Sequence, residues 1–326
     1  MRPNGWPAFP ERTALLEADG ALLAWDVLAG SPVPAVRVHD EARAADWLWE
    51  VYGAAADAVL AGEDVDVPEE GDRRVRDACR VAAHLSWARS WWPASASAGV
   101  PALDPVLLHA ERALAVAAVE HLLDDPDATA RALAEVGPVA AATSDPEVDA
   151  LVARLVEVAE DYGVVPDQVV PRRSAFALAA GGSAEAGLVV LSGQSSVDWN
   201  LVPQGVVDAA APATWSVARR DGGTFLDVVV PAGPRGGVPL AARFGDLDVV
   251  VDGVDDLGRL TGSAPAPATA LLLPPDRRVL TVYAPGFAEP VAPEPDAAPR
   301  RAAVVAYALA RVGAAEATLT ERVAGR

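Results

Sequence analysis

The chain has 326 residues, 52% of them hydrophobic, and a formal net charge of −20. That length predicts two domains, and the apolar content supplies a core and excludes disorder of the whole chain. A single cysteine, Cys79, excludes an internal disulfide and any cluster of cysteine metal ligands.

All 26 basic residues are arginine. Residues 1–166 hold 29 acidic residues against 12 arginines, and residues 167–326 hold 17 against 14. The acidic excess of the front half repels a phosphate polyanion, so no nucleic-acid partner is expected. The first twenty residues, MRPNGWPAFPERTALLEADG, carry charges where a signal peptide needs an apolar run. No uncharged apolar run of about 18 residues occurs, so neither a membrane span nor a membrane partner is expected. The cytoplasm is the expected compartment.

Residues 1–39 read as an N-terminal segment. Asp19-Gly20 lies between two apolar runs and suits a hairpin turn, although the same stretch fits a short helix. Val33 to Val38, with Pro32 and Pro34, reads as an edge strand or an extended connector.

A helical domain is predicted over 40–163. Asp40 caps a helix reaching about Ala61, with Ala44, Trp47, Leu48, Val51, Tyr52, Ala55 and Val59 on one face. After the acidic loop GEDVDVPEEGD, a second helix runs from about Asp72 to Trp92, where Pro93 stops it. Asp104-Pro105 starts a third, to about Leu123. Asp125-Pro126 opens a short fourth, and Ser144 to Glu147 offers a capping box for a fifth that ends near Tyr162.

Residues 164–173 read as a linker and 174–295 as a β-rich domain. Ser174 to Ala180 and Leu188 to Leu191 are predicted strands. Ala213 to Arg219 and Thr224 to Val230 form a hairpin turning at Arg220-Asp221-Gly222-Gly223. Two further hairpins are predicted. One pairs Asp248–Val251 with Leu257–Leu260, the other Ala270–Leu273 with Arg278–Tyr283. Residues 296–326 are an Ala-rich C-terminal segment in which Val304, Val305, Ala308, Leu309 and Val312 favour a helix, with a strand as the alternative. The fold class is therefore α+β, an all-helical N-terminal domain followed by an antiparallel β-sandwich-like domain.

Motifs for chemistry are sparse. No G-x-S-x-G elbow occurs, and the chain, having no lysine, has no P-loop. Cys79 and His84 are five residues apart, about 140° apart around a helix, and make no pair within it. None of the four histidines forms H-x-x-x-H or H-E-x-x-H. The five aspartates from Asp246 to Asp256 lack EF-hand spacing. No cofactor and no metal site are expected.

Two aromatic features stand out. His84, Trp87 and Trp91 recur at helical spacing, which reads as core, or with Trp91 as a ligand or partner surface. Residues 192–200 bring Gln194, Asp198, Trp199 and Asn200 together between strands. Amides beside an aromatic plate suit a sugar or peptide, and the bland alternative is a turn whose tryptophan folds back onto the sheet. The reading that follows is a non-catalytic scaffold or interaction protein with a protein partner. The alternative is a small-molecule or glycan-binding module using loop 192–200. A hydrolase built from scattered carboxylates is the third class.

Overall fold

A computed structural model of the chain describes residues 5–63, 65–67, 73–137, 145–163, 188–291, 294 and 296–326. The predicted linker 164–173 and strand Ser174 to Ala180 lie outside the described residues, as does Ser144 of the predicted capping box. The described residues divide into two compact units. The first draws on Met1–Trp91, Leu103–Arg173 and Ala310–Arg326, the second on Trp92–Ala102 and Ser174–Leu309.

The first unit opens with an antiparallel three-stranded sheet, β1 (Thr13–Ala18), β2 (Ala21–Asp26) and β3 (Ala35–Val38), in that order. The expectation of an all-helical front domain is therefore wrong. The described residues are a mixture of helices and antiparallel sheets, with a three-stranded sheet first, helices after it, and a five-stranded and a second three-stranded sheet toward the C-terminus. The hairpin turn at Asp19-Gly20 has a physical cause. Gly20 sits at φ 75°, and a Cβ there would lie 2.5 Å from the Asp40 carbonyl oxygen. His39 N and Asp40 N both donate to the Gly20 carbonyl, so the turn is locked to the start of the first helix.

That helix is not continuous. Asp40 caps α1 (Glu41–Ala45) by accepting from Ala42 N and Arg43 N. The chain then re-forms as α2 (Leu48–Tyr52) and α3 (Ala56–Leu60), broken by Gly53 at φ 57°. The predicted stripe is nevertheless buried at Ala44, Trp47, Leu48, Val51, Tyr52 and Val59.

The longest helix among the described residues, α4 (Arg74–Trp91), packs against β1 and α5 (Pro105–Ala117). Aromatic residues in and between these helices supply donors to backbone carbonyls in and around the sheet. Trp47 Nε1 donates to Asp19 O at 2.6 Å, Tyr52 OH to Pro34 O at 3.1 Å, and Trp87 Nε1 to Glu11 O at 2.9 Å. Each buries a large ring while satisfying its polar atom. Asp104 caps α5 and Asp145 caps α7 (Pro146–Asp161), with the short α6 (Ala128–Ala134) between them. Leu107, Leu114, Leu133, Val148, Leu151 and Leu155 form their common core.

The second unit has two antiparallel sheets. Five strands run in the order β4 (Leu188–Ser195), β5 (Ala213–Arg220), β6 (Gly223–Val230), β10 (Leu260–Pro265), β9 (Gly253–Val254). Three run in the order β11 (Leu280–Tyr283), β7 (Leu240–Phe244), β8 (Leu247–Val251). Trp215, Val217, Leu226 and Val228 of the larger sheet share one core with Leu240, Phe244, Val249 and Leu280 of the smaller. The β5–β6 hairpin forms as predicted, turning through Asp221 and Gly222, both at positive φ.

Two predicted hairpins do not form. β8 pairs with β7 through Gly245 at φ 59°, and Leu257 is 77% exposed. Residues Ala268–Leu272 are a 3-10 turn, and β11 pairs with β7.

The helix α8 (Ala297–Val312) leads from the second unit into the first at Ala310, and α9 (Leu319–Ala324) ends the chain. Glu111 anchors α9, accepting from Leu319 N, Thr320 N and Thr320 Oγ1 at 2.7–2.9 Å. No helix among the described residues is long and apolar enough to cross a membrane.

Candidate functional site

The residues singled out in the sequence scatter. Trp91 ends α4 in the first unit and is half-buried. The other four lie in the second unit, but not as one loop. Ser192 to Ser195 belong to β4, so Gln194 stands on a strand, exposed. Trp199 is half-buried, and its Nε1 donates to Ala209 O at 3.1 Å. Asp198 Oδ1 accepts from Asn200 N and Nδ2 and lies 3.2 Å from Arg301 Nη1. Asp198 Oδ1, Trp199 Nε1 and Asn200 Nδ2 are thus engaged within the protein, as in a structured turn.

Gln194 instead leads to a face that the sequence reading missed. On β5, Ala213, Trp215 and Val217 point into the core, and Thr214 and Ser216 point out. The strand register then sets two rows across the sheet. One runs Ser192, Ser216, Asp227, Ser263, and the other runs Gln194, Thr214, Val229, Thr261. Ser192, Gly193, Gln194, Thr214, Trp215, Ser216, Asp227 and Val229 line an open depression of about 380 Å³, within the size range of small-molecule sites.

The single charged residue of that lining is already paired. Arg220 Nη1 and Nη2 donate to the two Asp227 carboxylate oxygens at 2.9 and 2.8 Å. Ser263 Oγ donates to Asp227 Oδ1 at 2.7 Å, and the Arg220 guanidinium lies 4.4 Å over the Phe225 ring. This bidentate pair neutralises the carboxylate and fixes its plane. By contrast, the side chains of Ser192, Gln194, Thr214 and Ser216 make no hydrogen bond among the described residues. Trp215 is 4% exposed, and its Nε1 has no partner there either.

Gly193 makes the local packing possible. It stands opposite Trp215, and a Cβ on it would lie 2.6 Å from the indole Cζ2. The missing side chain lets β4 lie directly against the ring.

The remaining polar clusters are structural. Asp208, 5% exposed, accepts from Ser95 Oγ, Ser97 N and Oγ, Ala210 N and Ala211 N at 2.7–3.1 Å. Burial opposes its charge, but those hydrogen bonds win and hold the carboxyl below its usual range. Both serines donate to the Asp208 carboxylate, which also accepts three backbone amides and is a weak base with its pKa held down, so the cluster pins two loop segments together. Cys79 is buried. Among the described residues no three His, Cys, Asp or Glu side chains gather to hold a metal ion.

Fold and site together define a two-unit protein of mixed helices and antiparallel sheets, with an open depression of mixed polar and apolar lining on one sheet face. No family model, curated protein or solved structure matches the chain.

Proposed function

We propose that this chain is a non-catalytic binding protein whose recognition surface is the outer face of β4, β5, β6 and β10. The observation that carries this reading is the block of four uncommitted side chains, Ser192, Gln194, Thr214 and Ser216, in one depression. Groups left without protein partners on a rigid sheet are available to a ligand at little ordering cost. Asp227 does not support catalysis, because Arg220 holds both of its oxygens and no second carboxylate lines the depression. The test is capture of compounds from a mixed extract by the full chain, read by native mass spectrometry. The Ser216→Arg variant, which fills the depression, serves as control. Compounds held by wild type and lost from the variant support the reading, and identical retention overturns it.

The charge distribution favours a second reading, a protein partner with a basic surface docking on the acidic front half. Its 29 acidic residues against 12 arginines would draw such a partner over about a Debye length. A complex of that kind weakens steeply with salt and is indifferent to Ser216→Arg. A salt-insensitive complex argues against it.

A further inference from the structure

We infer that the ligand of the β4–β5–β6–β10 face is a neutral polyhydroxylated chain, an oligosaccharide laid across the strands. This rests on the reading of that face as the recognition surface. The charge balance comes first. Asp227 is the one ionisable group lining the depression, and it is matched by Arg220, so no net charge is left to select an anion or a cation. The type of hydrogen bond comes second. Three hydroxyls and one carboxamide can each donate and accept. That set matches groups that also do both, which sugar hydroxyls do. A phosphate or carboxylate only accepts, and an ammonium only donates.

Spacing comes third. Neighbouring positions stand about 5 Å apart across strands, and alternate residues about 7 Å apart along them. The four groups therefore cover roughly the footprint of one sugar ring. The two rows continue past Asp227 and Val229 to Ser263 and Thr261 on β10. From β4 to β10 the rows extend about 14 Å. The depression is open, so a polymer can pass over it. Val229 supplies an apolar patch for a ring's C–H face, and among the described residues Asp227 Oδ2 accepts only Arg220 Nη1, which leaves it acceptor capacity for a hydroxyl.

Calorimetry of the full chain with a panel of hexasaccharides tests this. The neutral probes are cello-, malto-, manno- and xylo-hexaose, and the charged probe is hexagalacturonate. The inference requires that a neutral hexasaccharide bind with little salt dependence. Thr214→Val with Ser216→Ala should weaken it by roughly tenfold or more, the sum of two lost hydrogen bonds, at an unchanged melting temperature. Preference for hexagalacturonate, no binding of any neutral probe, or binding that the double variant leaves intact overturns it. If extract compounds are lost on Ser216→Arg but are not polyhydroxylated, the surface stands and the ligand class falls.

Discussion

His84 Nε2 lies 2.8 Å from Glu321 Oε1, joining residues 237 apart in sequence inside the first unit. Arg311 Nη2 reaches the other carboxylate oxygen at 2.6 Å, and Thr318 N donates to it at 2.7 Å. The His84 ring stacks on Trp87, with centroids 5.3 Å apart. Through these contacts the short α9, six residues long, is held although it could not persist by itself.

This contact sets an acid sensitivity. Burial opposes the charge on Glu321, but His84 and Arg311 outweigh it and hold the carboxyl at about 2, against an ordinary 4.5. A carboxyl lowered on folding stabilises above its unfolded value and loses that contribution as pH falls through its folded value. Stability should therefore drop by about 3 kcal/mol between roughly pH 5 and pH 2 from this residue. Glu321→Gln should flatten that part of a denaturation-against-pH profile. An unchanged slope in the variant would place the acid sensitivity elsewhere.

Trp87 and Trp91 should separate cleanly. Trp87 is 2% exposed and hydrogen-bonded to Glu11 O, while Trp91 is half-buried at the helix end. Trp87→Ala should cost about 3–5 kcal/mol in urea denaturation, and Trp91→Ala should cost far less. Equal losses would contradict the burial difference.

Gly193→Ala should be destabilising despite the small change. The new methyl would meet the Trp215 ring at 2.6 Å, too close for any Cβ contact. Either β4 lifts or the indole moves, at a cost of about 1–3 kcal/mol. Tryptophan fluorescence should shift along with the melting temperature. A neutral result means that the ring is not seated under β4.

Cys79 should be inert. Burial pushes its thiol up to about 12, so almost no thiolate exists at neutral pH. Iodoacetamide should label it only as the chain unfolds, and Cys79→Ala should cost about 1–2 kcal/mol as a small core change. Fast labelling of the native protein would show that the helix face is open.

The sequence by itself determined the local punctuation. Asp40 and Asp104 cap the helices that the sequence assigns to them, because an aspartate oxygen satisfies amides two or three residues away whatever surrounds it. The fifth helix is capped by Asp145, one residue past the expected Ser144, and the fourth starts after Asp127, past the expected Asp125-Pro126, with no side-chain cap. Asp19-Gly20 and Asp221-Gly222 turn their hairpins because a positive φ is a local demand. Tertiary structure decided everything that needed a partner distant in sequence. The period-2 pattern of Asp248 to Val251 is the same whether β7 or a later strand lies beside it. Burial against Phe244 and Leu280 in a shared core made the choice. The face that joins Gln194 to Thr214, and Ser192 to Ser216 and Asp227, exists only through the registers of β4, β5 and β6. Each of those residues is an ordinary polar position in its own strand. The segment around Trp199 stands out for its composition, yet it divides: Trp199 Nε1 goes to Ala209 and Asp198 Oδ1 to Asn200 and Arg301, while Gln194 faces the sheet depression. Composition shows which groups a segment carries, and only packing settles whether those groups have partners already.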